Sequence, residues 1–259
     1  FGSHFYRLAT DTGQVDNGGT IIRTVNGVYE LQYSGAVNVK WFGAVGNGVT
    51  DDSSAIQAVF DYANLVNKNV YATKATYLLG STITATEIMV DFNGSNLLYD
   101  NEDNTFAVVV NATGDKMYEA GLQNAKLLCT STNTTLLTHG INIGGSGRVS
   151  NMRIVGFTGI SFAMGAGLEP HTGVTLPATQ QCYYFDVNNI NIASTAGWNF
   201  VARYANNANK ISNLSTFPWN GFNESAPRRA NCIEEIVNGG TVNNFSRISL
   251  EASCSTTKV

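Results

Sequence analysis

The sequence predicts an all-β chain wound into stacked coils, a parallel β-helix, with one α-helix near its start. Three observations carry this. Twenty-six glycines, only four prolines and abundant Asn, Ser and Thr among 259 residues suggest many turns between short strands. In WFGAVGNGVTDDSSAIQAVFDYA, residues 41–63, aromatics run into a glycine loop, two aspartates and an amphipathic segment. Beyond residue 120 an asparagine–glycine pattern recurs, as expected of coils of roughly 20–30 residues that bury their apolar faces only by stacking.

Composition narrows the function classes. Charged residues make up 13% of the chain and the net charge is −4. There is no basic footprint for nucleic acid and no electrostatic anchor for a membrane. No apolar run approaches the roughly 18 residues of a membrane span, and no charged-then-apolar signal peptide opens the chain. Neither a nucleic-acid partner nor membrane insertion is expected. Cys129, Cys182, Cys232 and Cys254 are far apart and form no CxxC pair, so buried thiols are expected rather than structural zinc. The abrupt ends, FGSHFYRLAT and CSTTKV, suggest an internal piece of a longer protein, truncated at the C-terminal end.

Residues 1–40 read as a lead-in and 41–259 as the coil domain. AVNVKWF (36–42) alternates and is β-branched, which predicts a strand. Gly43, Gly46 and Gly48 make a loop. Thr50 or Asp51 can cap a helix near 51–64, with Asp51 and Asp52 against its positive end. Ala55, Ile56, Val59, Phe60 and Ala63 fall on one face of that helix. A dinucleotide loop would need glycine at position 51, where Asp51 would repel a pyrophosphate. No G-K-[ST] follows for a P-loop, and GNGVTDD offers too few alternating oxygens for calcium. The aspartates therefore read as a structural device, and no cofactor or metal is expected. NVYATKATYLL and FAVVVNA supply short strands between 71 and 120.

The coils follow. VSNMRIVGFTGISF, VNNINIASTAGWNF and ISNLSTFPWNGF each place glycine eight residues after an asparagine: Asn151–Gly159, Asn189–Gly197 and Asn213–Gly221. A bulky apolar residue comes next: Ile160, Trp198 and Phe222. LQNAKL (Asn124) and VNNFSRI (Asn244) are weaker copies without the glycine. Asparagine at a coil corner can satisfy its own backbone and bond to the amide of the coil above, and glycine permits a positive φ. Successive asparagines lie 27, 38, 24 and 31 residues apart, and the longest interval holds a surface loop at 163–181.

VNVKWFGAVGNGVTDDSSAIQAVFDYA closely resembles the stretch that opens the pectate-lyase-like parallel β-helix of phage tailspikes, and DNGGTIIRTVNGVYELQYSGAVNVKWFG resembles the segment leading into it. Asn47 departs from the aspartate usual in that family. The resemblance implies a right-handed, single-stranded parallel β-helix whose N-terminal helix caps the first coil. It implies a homotrimer on the phage tail, in contact with other tail proteins, assembled in the host cytoplasm and acting on a bacterial capsular or O-antigen polysaccharide. It carries no catalytic residue.

The coil alignment supplies candidates for the chemistry. Three positions before the asparagine stand Arg148, Asp186, Lys210 and Thr241, so Asp186 is expected between two cations that could also hold an acidic sugar. Glycoside hydrolysis usually needs two carboxylates, about 5–5.5 Å apart in retaining and about 6.5–9.5 Å apart in inverting enzymes. The catalytic candidates are Asp186, Glu234 and Glu251, the last alone in a column with Thr158, Ala196 and Asn220. A lyase would instead need a base and a cation such as Arg203, Lys210, Arg228, Arg229 or Arg247. Trp219 and Tyr204, with Arg203 and Lys210, are the substrate-binding candidates; Tyr183 and Tyr184 are similar. His139 and His171 read as loop or surface residues. The expected function is a polysaccharide depolymerase, a hydrolase before a lyase. A non-catalytic receptor-binding spike segment is the alternative from another class, and a secreted bacterial enzyme a third.

Overall fold

The computed structural model describes residues 6–101, 105–112, 120–131, 137–165, 184–194, 198–203, 209–218, 231–236 and 244–250. At 194, 198, 202–203, 217–218, 231–236, 244–245 and 248–250 the backbone alone is described. Strands β1 (Tyr6–Ala9), β2 (Ile21–Thr24) and β3 (Gly27–Leu31) form an antiparallel sheet in the order β1-β3-β2. Strand β4 covers only Val37–Asn38. The strand expected over 36–42 stops there because the Asn38 side chain accepts a bond from Lys40 N at 2.9 Å. That bond caps a 3-10 helix over Val39–Phe42.

Strand β5 (Asn47–Asp51) leads into helix α1 (Ser53–Leu65). Gly43, Gly46 and Gly48 all have positive φ, the conformation for which glycine is suited. The buried Asp52 carboxylate accepts from the amides of Val45 at 2.5 Å and Gly46 at 3.0 Å. The amides that a phosphate loop would offer to a ligand are thus taken by the chain's own carboxylate. Asp52 occupies the N-cap position, where its carbonyl accepts from Ile56 N at 2.9 Å, but its side chain does not bond to the helix. Asp51 serves the first turn instead, accepting from Ser53 N at 2.9 Å and Ser53 Oγ at 2.6 Å, and it also ties in Gly80 N at 3.1 Å. Asn47 Oδ1 accepts from Val49 N and Thr50 N while its Nδ2 donates to Thr50 Oγ1, so the amide uses both its ends.

The rest of the chain alternates between two parallel sheets. One contains β8 (Ile83–Thr86), β10 (Phe106–Asn111), β12 (His139–Gly144), β14 (Ile160–Met164), β16 (Trp198–Arg203) and β18 (Asn231–Ile236), paired in that order. The other runs from β4 through β6 (Val70–Tyr71), β9 (Met89–Tyr99), β11 (Ala120–Cys129), β13 (Gly147–Val155), β15 (Asp186–Ser194) and β17 (Lys210–Pro218) to β19 (Asn244–Leu250). Strand β7 (Thr76–Leu79) joins it through β5 and β9. Two sheets whose strands alternate along the chain and pair only in parallel make a parallel β-helix. The core lies between the sheets in columns set by register. Leu97, Leu127, Ile154 and Ile192 are successive partners, as are Val90, Leu122, Val149, Val187 and Ile211, and all are buried. Phe162 and Phe200 stack at 5.4 Å in the opposite sheet. Each such side chain contributes about 1.5–3 kcal/mol on burial.

Helix α1 buries Ile56, Val59, Phe60 and Ala63, with Ala55 partly buried against the same cluster. It lies against β8 of one sheet and β4 and β6 of the other, strands at one end of each sheet. There the Gln57 amide donates to Thr84 O at 3.1 Å and accepts from Thr84 N at 2.8 Å.

The coil corners carry the expected asparagines with one addition and one replacement. Asn93, Asn124, Asn151, Asn189 and Asn213 all adopt left-handed φ, and so does Arg247. Strand β19 pairs Asn244 with Lys210 and Ile248 with Leu214, which puts Arg247, not Asn244, opposite Asn213. The side-chain ladder runs Asn189 to Asn151 at 2.8 Å and Asn151 to Asn124 at 3.0 Å. Asn124 turns to Asp91 Oδ1, and Asn213 to Asn188 Oδ1.

Gly159 is required for a different reason from the positive φ expected of it. A Cβ there would stand 2.3 Å from His139 Cε1. His139 is fully buried rather than a surface or loop residue. Its Nδ1 accepts from Ile160 N at 2.9 Å, and its ring lies 5.0 Å from that of Phe106. Burial pushes its pKa down to about 4. Gly197, Gly221, Phe222 and His171 lie outside the described residues, as do Cys182 and Cys254; Cys129 is partly exposed rather than buried, and its Sγ lies 3.3 Å from Thr138 Oγ1.

Candidate functional site

Each long strand of the larger sheet passes through a left-handed corner residue, and in β9, β11, β13, β15 and β17 the burial alternation changes phase there. In β13, Arg148 is exposed and Val149 buried, and beyond Asn151 it is Met152 that is buried and Arg153 exposed. The sheet therefore presents two outward columns, one on each side of the asparagine ladder. Adjacent members of a column are about 4.8 Å apart.

The first column is Arg148, Asp186, Lys210 and Asn244. Its last member is Asn244 and not Thr241, because β19 is shifted by three residues from the sequence alignment. Asp186 does lie between the two cations in register. Its Oδ2 is 3.8 Å from Arg148 Nε, and its Oδ1 is buried with no hydrogen-bond partner. Lys210 is exposed. Two residues before Asp186, Tyr184 is exposed and held at φ 53, a backbone conformation that costs a non-glycine residue about 1–2 kcal/mol.

The second column contains Asn96, Lys126, Arg153, Asn191 and Ser215 in register. It borders an open groove of about 530 Å³ whose lining includes Asn93, Asn124, Asn151 and Asn189 of the ladder, with Ala125 and Met152 between. Neither Lys126 nor Arg153 was singled out from the sequence. Both stand two residues after a ladder asparagine, an offset that columns three residues before and seven after the asparagine leave out.

The remaining candidates are dispersed. Glu234 sits in β18, opposite Val201 in the smaller sheet, and Arg203 ends β16 in that same sheet opposite Ile236. Both are in a different sheet from Asp186 and Lys210. Glu251, Trp219, Tyr204, Tyr183, Arg228 and Arg229 lie outside the described residues. Counting seven on from Asn244 no longer aligns Glu251 with Thr158, since the corner residue is Arg247. The other described carboxylate on a long strand of the larger sheet is Asp91, three strand steps from Asp186 across the sheet, about 14 Å, and two residues further along. Asp91 is engaged by Gln123 and Asn124 at 2.9 Å. No group of three or more His, Cys, Asp or Glu side chains among the described residues could hold a metal ion. No helix among them is long and apolar enough to cross a membrane.

A family model for rhamnogalacturonase A/epimerase, pectate lyase-like, matches residues 36–216. No curated protein matches the sequence. Among solved structures, the Dettilon tailspike protein superposes with a TM-score of 0.52 at 16% identity, covering 82% of this chain and 38% of that one. This chain thus spans well under half of that tailspike. A Parabacteroides merdae protein assigned as a glycosyl hydrolase superposes with a TM-score of 0.55 at 11% identity, covering 86% of this chain and 99% of that one. Identities this low speak to the shared fold alone.

Proposed function

The chain belongs to the rhamnogalacturonase A/epimerase, pectate-lyase-like family, and on that premise we propose that it is a tailspike segment that binds a bacterial capsular or O-antigen polysaccharide and cleaves it by glycoside hydrolysis. The observation that carries this reading is Asp186. It is a partly exposed carboxylate on the outer face of the larger sheet, flanked in register by Arg148 and Lys210. The exposed ring of Tyr184, fixed in a strained backbone two residues away, offers an apolar face to the C–H surface of a sugar.

Hydrolysis needs a second carboxylate as acid. Glu234 and Glu251 remain its proposed sources, and Arg203, Tyr204 and Trp219, with Lys210, the proposed sugar contacts. A site completed between subunits of a homotrimer would bring such residues together. The same proposal covers the lead-in over 1–40, the coil domain over 41–259, the contacts with other tail proteins, assembly in the host cytoplasm and a place on the virion. A second reading, glycan binding without cleavage, is favoured by the distance of Asp186 from Asp91, which exceeds either glycosidase separation. Lyase chemistry, with Lys210 or Arg203 as the cation, is the remaining alternative.

The test is incubation of the protein with a panel of purified capsular polysaccharides, following reducing ends and the ultraviolet absorbance of unsaturated products together. The expected result is new reducing ends on one polysaccharide without that absorbance, and a loss of about a hundredfold or more in rate for Asp186→Ala. Absorbance rising with the new ends would replace hydrolysis by elimination. Tight binding with no new ends would leave the non-catalytic reading. Full activity in Asp186→Ala would remove Asp186 from the mechanism.

A further inference from the structure

Strands β11 and β13 place Lys126 directly opposite Arg153. Both are exposed, two residues past the ladder asparagines Asn124 and Asn151. Like charges directly opposite each other destabilise a sheet. Their other in-register neighbours are Asn96 and Asn191, which carry no charge to relieve them. The ion pairs among the described residues are Arg23–Asp11 and Arg148–Asp186, and neither cation takes part. Asp91, the carboxylate nearest along the ladder, is already taken by Gln123 and Asn124. A third cation stands at the rim, since a Cβ at Gly94 would lie 4.0 Å from Lys74 Nζ. Three cations with no carboxylate partner among the described residues thus border one groove.

The groove suits a chain rather than a point ion. It is open, about 530 Å³, with Ala125 and Met152 between the cations and the ladder amides at its side. It follows the stacking direction, so its polar groups repeat once per coil, about every 4.8 Å. We propose that this groove binds the carboxylates of an acidic polysaccharide lying along the coil stack, with Lys126 and Arg153 each engaging a sugar carboxylate, Arg153 in fork geometry, and the asparagine amides meeting hydroxyls. This rests on the polysaccharide reading above and names the acidic class of glycan for it. It uses the side of the ladder away from Asp186, so the groove is a holding surface and not the place of cleavage.

The experiment titrates the protein with polygalacturonate, with neutral dextran and with a single-stranded DNA oligonucleotide, at about 20 mM and about 500 mM salt, where surface charges are weakly and strongly screened. It compares the wild type with the double variant Lys126→Gln/Arg153→Gln. The wild type should bind polygalacturonate and not dextran, and lose about tenfold or more in affinity at the higher salt. The double variant should lose about tenfold or more at the lower salt, while its melting temperature in the absence of glycan equals or exceeds that of the wild type. The melting curve distinguishes a lost contact from a lost fold. Unchanged polygalacturonate binding in the double variant, or no binding by the wild type, would overturn the inference. Equal affinity for the oligonucleotide would also overturn it, because the groove would then answer to charge alone. Reducing ends released from any polysaccharide, alongside unchanged binding in the variant, would remove this inference and leave cleavage standing. Binding lost in the variant, with no polysaccharide cleaved, would do the reverse.

Discussion

His139 has no exposed surface, and its ring rests where Gly159 leaves room. Desolvation holds the imidazole neutral down to about pH 4, against an ordinary value of 6.5. Between those values the unfolded chain takes up a proton that the folded chain refuses. Stability therefore falls as pH falls from 6.5 to 4, by about 3 kcal/mol in total from this residue, and the loss levels off below. His139→Asn keeps an acceptor for Ile160 N but does not titrate. Its melting temperature should vary less with pH over that window than that of the wild type, and equal slopes would place the acid sensitivity elsewhere. Nothing in the sequence around His139 marks it as buried. It lies next to a glycine and far from its partners, and the constraint comes from Gly159, one coil away.

At the scale of elements, α1 does more than cover an apolar end. Among the described residues, strand β8 has β10 on one side only, so its other edge has backbone groups with no strand there to pair with. Gln57 meets both groups of Thr84 there, which is one way of protecting an edge. Gln57→Leu should cost about 1–3 kcal/mol by leaving those groups unpaired. Gln57→Glu keeps the acceptor for Thr84 N and loses the donor, so it should fall between. Denaturant midpoints would rank the three, and a leucine variant as stable as the wild type would show that water replaces the amide without cost. The helix itself was legible, since Ile56, Val59, Phe60 and Ala63 are spaced for one face. The coil corners were legible too, because few residues besides asparagine and glycine accept a left-handed turn. The strand over 36–42 and the last corner were misread for one physical reason. A single side-chain-to-backbone bond at Asn38 ends β4, and a single left-handed Arg247 shifts β19 by three residues. Neither leaves a trace in periodicity.

For the whole molecule, coils meet mainly their neighbours, so stability approximates a sum of coil and interface terms along one axis. The same geometry explains why the candidate site was only half legible. Residues within one column, such as Arg148, Asp186 and Lys210, follow from aligning the repeats. Which columns share a face depends on where the sheet bends and on the loops between strands, so Glu234 and Arg203 fall on the other sheet while Lys126 and Arg153 meet unannounced. A linear stack also makes a prediction about unfolding. Ile154 lies midway in its column, in register with Leu127 and Ile192. Ile154→Ala should cost about 2–5 kcal/mol, concentrated at the interfaces on either side of β13. With that junction weakened, β15 and β17 can open while β9 and β11, held by α1 and the first coils, stay closed. Hydrogen exchange should then show amides at 186–192 and 210–216 losing protection before those at 90–99 and 120–128. A uniform loss across all four strands would mean that the coils unfold as one unit, and that the sheets transmit strain along the stack more strongly than a nearest-neighbour description allows.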